Sequence, residues 1–163
     1  IIGVTGNDGN DTLYRAGIVK DMRPAIALFR EERIALEAAL AAFGTGKIKA
    51  CSDLGAAGIG AAICESARYG KLGARIDLSG VPVSVPGITP QETLICETQG
   101  RYVVQTAPES VDEVLRAVRS LTDNVAVIGE ITSDDKEVFE FNGEVIAVIP
   151  NNPSKEMLEA LKS

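Results

Sequence analysis

Asn142-Gly143 stands between two runs of alternating apolar residues, Glu137–Asn142 and Glu144–Ile149. An Asn-Gly pair accepts the positive φ angles of a two-residue hairpin turn at little cost, so these runs are expected to pair antiparallel. That excludes an all-parallel sheet. A further strand, Asn124–Thr132, precedes them, and the three are expected to form one antiparallel run. Upstream, helical and extended patterns alternate. Ile26 to Phe43 has Phe29, Leu36, Leu40 and Phe43 on one face and Gly44 as its stop. A short strand, Lys47–Ser52, leads into Asp53-Leu54-Gly55-Ala56-Ala57-Gly58, which opens a helix to about Tyr69, with Ile59, Ala62, Ile63, Ser66 and Ala67 inward, followed by a strand at Ala74–Leu78. Val81 to Gly87 carries two prolines and reads as an irregular crossing. Thr89-Pro90-Gln91-Glu92 is a capping box with Pro at the first helical position. A strand at Arg101–Thr106, a helix at Pro108–Leu121 with Val111, Val114, Leu115 and Val118 inward, and a short last helix capped by Ser154 complete the pattern. Helices covering a sheet in this order make an α+β fold.

The 163 residues fit a single domain, 1–163. The start, Ile1-Ile2-Gly3-Val4, reads as a strand with no polar lead-in, so the domain is expected to be cut from a longer chain. The 23 acidic residues outnumber the 16 basic ones for a net charge of −7, which argues against nucleic acid as a partner. No histidine is present, which removes Ser-His-Asp triads, Cys-His pairs and His-containing zinc sites. Cys51, Cys64 and Cys96 match no metal or redox spacing. They read as reduced thiols of a cytoplasmic protein, buried like small hydrophobes. The longest uncharged apolar stretch, Leu54–Cys64, is 11 residues long. A membrane span needs about 20.

Two segments could carry chemistry. The first is strand, Asp53, glycine-rich turn, helix. Gly55 and Gly58, with Gly60, let a ligand approach the backbone, and a helix start offers N–H donors to an anion. Asp53 sharpens this reading. A carboxylate about 4 Å from a phosphate repels it by roughly 4 kcal/mol at an effective dielectric of 20. A Mg²⁺ ion taking oxygens from both removes that conflict. Alternatively, Asp53 caps the helix and the glycines serve tight packing. The second segment is Cys96-Glu97-Thr98-Gln99-Gly100-Arg101. If extended, Glu97 and Gln99 point the same way and could hold an amide or hydroxyls. Alternatively this is an exposed edge on which Glu97 and Arg101 form a surface pair. Thr5-Gly6-Asn7-Asp8-Gly9 is a third candidate that also reads as a plain tight turn, and Asp134-Asp135 is a turn.

Seven patterns occur in register: Gly3-Val4-Thr5-Gly6-Asn7-Asp8-Gly9; Ser52-Asp53-Leu54-Gly55-Ala56-Ala57-Gly58; Ile76-Asp77-Leu78 before Val81-Pro82; Gly87-Ile88-Thr89-Pro90-Gln91-Glu92; Cys96-Glu97-Thr98-Gln99; Ile128-Gly129-Glu130-Ile131-Thr132; and Gly143-Glu144-Val145-Ile146-Ala147-Val148-Ile149-Pro150. Together they resemble the phosphoribosylformylglycinamidine synthase II family, the synthetase subunit of formylglycinamide ribonucleotide amidotransferase. The likeness is to its first C-terminal-type domain, shared with aminoimidazole ribonucleotide synthetase.

The resemblance implies a three-layer α/β/α domain with a mixed, largely antiparallel sheet. It implies a part in an ATP-dependent ligase of purine biosynthesis that converts formylglycinamide ribonucleotide to its amidine. ATP would phosphorylate the amide oxygen, and ammonia from a glutaminase subunit would displace the phosphate. Implied partners are that glutaminase, a small bridging subunit and an N-terminal-type synthetase domain. The family's catalytic His and most ATP contacts belong to the N-terminal-type half, so no catalytic residue is expected here and the domain alone should be inactive. Residue by residue, Asp53 matches the family's Mg²⁺ ligand, and Glu97, Thr98 and Gln99 match its substrate-contacting Glu-Ser-Gln. The family's Gln-x-Gly-Asp-Pro stretch falls on Ala25-Ile26-Ala27-Leu28-Phe29, which lacks it. A different enzyme of the superfamily, of thiamine-phosphate kinase or selenophosphate synthetase type, and a non-catalytic assembly domain are the rival readings.

Overall fold

A computed structural model describes residues 1–3 and 8–153. The fold is α+β, with five helices and six strands among the described residues: α1 (Asp11–Arg15), α2 (Phe29–Gly44), β1 (Ile48–Asp53), α3 (Gly58–Gly70), β2 (Gly73–Asp77), α4 (Pro90–Ile95), β3 (Tyr102–Thr106), α5 (Val111–Arg119), β4 (Gly129–Thr132), β5 (Lys136–Phe141) and β6 (Glu144–Pro150). The helix expected to be capped by Ser154, and the residues from Val4 to Asn7, lie outside the described residues. Ile2 does pair in extended form, bridging Tyr102 and Val125.

The strands form two sheets. β1 and β3 pair antiparallel, and the other four run in the order β4-β2-β5-β6. The hairpin at Asn142-Gly143 forms as expected, both residues having positive φ. The uninterrupted antiparallel run does not. β2 inserts between β4 and β5, antiparallel to the first and parallel to the second. Ala74 and Ile76 on β2 are both buried, and a strand buried in this way needs a hydrogen-bonding neighbour on each edge. Gly129 admits it: a Cβ there would lie 2.0 Å from the Arg75 carbonyl oxygen.

Two cores result. Ile59 and Ile63 of α3 meet Ile76, Val103, Ile128 and Phe139 in one. Ala38 and Ala42 of α2 meet Ile2, Val114 and Val118 in the other. The α2 helix departs from expectation. It starts at Phe29, because Leu28 is still extended, and its buried face is Ala35, Ala38, Ala39 and Ala42. Phe29 and Leu40 are 84% and 60% exposed. Small side chains let α2 approach α5 closely, and the larger ones are thereby turned outward. Cys64 and Cys96 are buried as expected, whereas Cys51 is exposed.

The short α4 helix carries the expected capping box. The Thr89 hydroxyl accepts from the Glu92 N–H at 3.1 Å, and Glu92 Oε2 accepts from the Thr89 N–H at 3.1 Å. The capped helix fixes where the chain leaves at Cys96, and so places the segment that follows.

Candidate functional site

A cleft of about 420 Å³ opens where α2, the end of β1 and the segment between α4 and β3 meet. Asp53 and Leu54 form one side and Thr98 to Tyr102 another. Phe29, Glu32, Arg33 and Leu36 of α2 form the third. Asp53 ends β1 opposite Tyr102 in the ladder. Its carboxylate is exposed and makes no hydrogen bond or ion pair with any described residue. It does not cap α3. The residue before that helix is Ala57, in the left-handed conformation, and no side chain caps the N-terminus. The cleft is acidic on this side: burial, Cys51, Asp53 and Glu32 together raise the Tyr102 phenol above its ordinary value. An exposed carboxylate can offer an oxygen ligand to a hard divalent cation, although Arg33 and Arg101 also line this cleft and no cluster of three or more acidic or thiol ligands occurs among the described residues.

The floor of the cleft is a buried charge cluster. Asp8 is 0% exposed and Arg101 is 1% exposed, and they pair at 3.1 Å. The Thr98 hydroxyl donates to Asp8 Oδ1 at 2.6 Å. Asp8 Oδ2 accepts from the Ser84 N–H at 2.8 Å, the Ser84 hydroxyl at 3.0 Å and the Val85 N–H at 3.3 Å. Arg101 also donates to the carbonyl oxygens of Gly3 and Pro82. Burial acts to raise the Asp8 carboxyl, but the Thr98 and Ser84 hydrogen bonds and the Arg101 charge overcome it and hold it below the ordinary range. Burial likewise pulls Arg101 down, against Asp8. Arg101 is therefore not the surface partner of Glu97 that an exposed edge would give. The irregular crossing with its two prolines is tied down by Asp8 in place of a sheet ladder.

These bonds decide what the Glu97-Thr98-Gln99 strip presents. Thr98 is buried, its hydroxyl committed to Asp8. Gln99 is exposed on the cleft. Glu97 turns toward α1, where its Oε1 accepts from the Thr12 hydroxyl. Its backbone pairs with Gly9 through bonds of 2.7 and 3.1 Å. The structure thus brings Asp53, Thr98 and Gln99 into one cleft and sets Glu97 at its neighbour on the α1 side.

The glycine turn divides by role. Gly55 is exposed, with open space where a Cβ would stand. Gly58 is buried, and a Cβ on it would lie 2.3 Å from the Cys96 carbonyl oxygen. Its φ of +54° also disfavours any other residue. The first N–H groups are used internally: Ala57 donates to the Thr12 hydroxyl at 3.2 Å and Gly58 to the Gly55 carbonyl at 3.0 Å. Gly58 therefore joins the turn to the Glu97 strip by contact, whereas Gly55 is exposed, with open space beside its backbone.

Sequence reasoning missed Arg101's burial, the Asp8 hub, Thr12 and the α2 wall. Asp8 falls in the third candidate segment, Thr5-Gly6-Asn7-Asp8-Gly9, whose residue types equally suit a tight turn and do not show a buried charge hub. The α2 residues needed knowledge of which helix face is buried, and the larger apolar residues pointed to the wrong one.

Residues 2–142 match the family described as AIR synthase related protein, C-terminal domain. The chain belongs to that family. Phosphoribosylformylglycinamidine synthase subunit PurL of Methanosarcina acetivorans is 43% identical over 119 residues, covering 73% of this chain and 17% of the relative. The PurL subunit of Carboxydothermus hydrogenoformans is 35% identical over 156 residues, covering 90% and 21%. Among solved structures, T. maritima PurL complexed with FGAR superposes with a TM-score of 0.77 at 25% identity, over 92% of this chain and 26% of that one. T. maritima PurL complexed with AMPPCP gives 0.72 at 27%, over 92% and 24%. This AIR synthase related C-terminal domain thus spans about a fifth of the length of the curated relatives it matches. No helix among the described residues is long and apolar enough to cross a membrane.

Proposed function

We propose that this domain is the substrate- and magnesium-holding part of an ATP-dependent synthetase that converts formylglycinamide ribonucleotide to its amidine in purine biosynthesis. The observation that carries the reading is Asp53, an unpartnered carboxylate on a cleft shared with Thr98 and Gln99. The solved relatives bound to FGAR and to a nucleotide analogue support the substrate classes.

Asp53 would hold Mg²⁺, with Gly55 leaving room for phosphate oxygens beside it. The ion would supply neutralisation of the charge that builds on a transferring phosphoryl group. Gln99 offers an amide to the cleft, and Glu97 a carboxylate beside it, the two group types that pair with a substrate's amide and hydroxyls. Thr98, through Asp8, fixes the backbone between them. Gly58 gives shape. No residue here supplies a proton at neutral pH in the manner of an imidazole, so the phosphoryl and ammonia steps need the N-terminal-type half with its ATP contacts, a glutaminase subunit and a bridging subunit. The setting is cytoplasmic in this reading.

The test is Asp53→Asn in the full synthetase. The Mg²⁺ concentration for half-maximal rate should rise by at least about 10-fold. An unchanged rate and Mg²⁺ dependence would remove the metal role.

A further inference from the structure

We infer that Thr12 is a positioning residue for the substrate, its hydroxyl fixing the Glu97 carboxylate relative to the glycine turn. The inference rests on the reading above, in which Glu97 contacts substrate.

Thr12 lies on α1, whose place is set without it. Leu13 is buried, the Gly9–Glu97 bridge joins the chain just before α1 to the strip, and the Asn10 side chain ties it to the 21–23 segment through bonds of 3.2 and 2.6 Å. The Thr12 hydroxyl then makes two contacts of different kinds. The Ala57 N–H can only donate, so at 3.2 Å it occupies a lone pair of Thr12 Oγ1. The single hydroxyl proton is left for Glu97 Oε1, which accepts it. The direction of the chain Ala57 N–H to Thr12 O–H to Glu97 is thereby fixed, and Glu97 is held as an acceptor at Oε1. Its other oxygen, Oε2, makes no hydrogen bond with a described residue. That leaves one carboxylate oxygen for an N–H or O–H of a ligand, at an orientation set by the turn that follows Asp53. A hydroxyl is the only common small group that can accept from an amide and donate to a carboxylate at once. Valine has the same shape and does neither.

The experiment compares Thr12→Val, Thr12→Ala, Thr12→Ser and Glu97→Ala in the full synthetase, separately and with Thr12→Val and Glu97→Ala combined. The expected result is a KM for formylglycinamide ribonucleotide about 10-fold higher in the Val and Ala variants, with kcat changed much less. Thr12→Ser should restore KM to within about 2-fold. Glu97→Ala should raise KM as well, and Thr12→Val should add little to it, because both variants break the same contact. A variant that only loses folded protein lowers kcat and leaves KM alone, and that pattern would overturn the positioning role. So would a serine variant as poor as valine, or full additivity of the two changes. A Glu97→Ala enzyme with unaltered KM would instead overturn the substrate role of Glu97, and this inference with it.

Discussion

Asp8 and Glu137 are both carboxylates at 0% exposure, yet their surroundings are opposite. Asp8 takes bonds from Thr98, Arg101, Ser84 and Val85, and its carboxyl is held below the ordinary range. Glu137, on β5, has no conventional hydrogen-bond partner for either oxygen. Its neighbour is the Cys64 thiol, a weak donor. Burial pushes Glu137 above the carboxylate range despite the pull of Arg68, and burial together with Glu137 pushes the Cys64 thiol up to about 12. The two sites teach that burial alone does not set the behaviour of a charge; the donors supplied with it do. The satisfied carboxylate underlies the candidate cleft. The unsatisfied one lies under α3, away from it.

The contrast breaks most visibly at Asp8. Asp8→Ala leaves the Arg101 guanidinium buried without its counter-charge, and should destabilise this chain by about 3–5 kcal/mol in urea unfolding. Glu137→Met removes an unsatisfied group in favour of an apolar one of similar volume. It should stabilise the chain by about 1–3 kcal/mol at pH 8. Both effects should shrink in acid, for opposite reasons. A carboxyl raised in the folded state contributes stability only below its unfolded value, near 4.5, and loses it as the pH rises through the folded value, so the advantage of Met should shrink on acidification. A carboxyl lowered in the folded state contributes above its unfolded value, near 3.8, and loses that as the pH falls, so the penalty of Asp8→Ala should shrink in acid too. Equal-signed effects for the two substitutions would end the comparison. Smallest of all, Asp53→Asn should move stability by no more than about 0.5 kcal/mol, since the carboxylate is exposed and unpartnered. A large loss there would mean that Asp53 is structural after all.

Much of the fold was legible because it rests on local rules. The capping box at Thr89 and the hairpin at Asn142-Gly143 need only neighbouring residues, and both formed as read. Of the inward face expected on α3, Ile59, Ala62, Ile63 and Ala67 are buried and Ser66 is half-buried. Strand order was less legible: β2 finds its two partners about sixty residues away, and no local pattern states that. On α2, hydrophobic size points to the Phe29, Leu36, Leu40 and Phe43 face, whereas close approach to α5 buries the alanine face instead. At the site, Asp53 and the Glu97-Thr98-Gln99 strip stood out by residue type, and the structure set Asp53, Thr98 and Gln99 on one cleft. That Glu97 faces Thr12, and Thr98 faces Asp8, depended on contacts 85 and 90 residues apart in the chain.

Sequence by itself determined most of the helices and strands though not α1, the Thr89 cap and the Asn142-Gly143 turn, the exclusion of imidazole chemistry and the residue types available to a cation or an amide, because each follows from composition or from residues within a few positions of one another. The tertiary structure alone decided which strand lies between β4 and β5, which face of α2 is covered, and which of the buried carboxylates is satisfied. Those outcomes depend on which donors and apolar surfaces arrive from distant parts of the chain, and a carboxylate's energy is set by the groups that meet it in space.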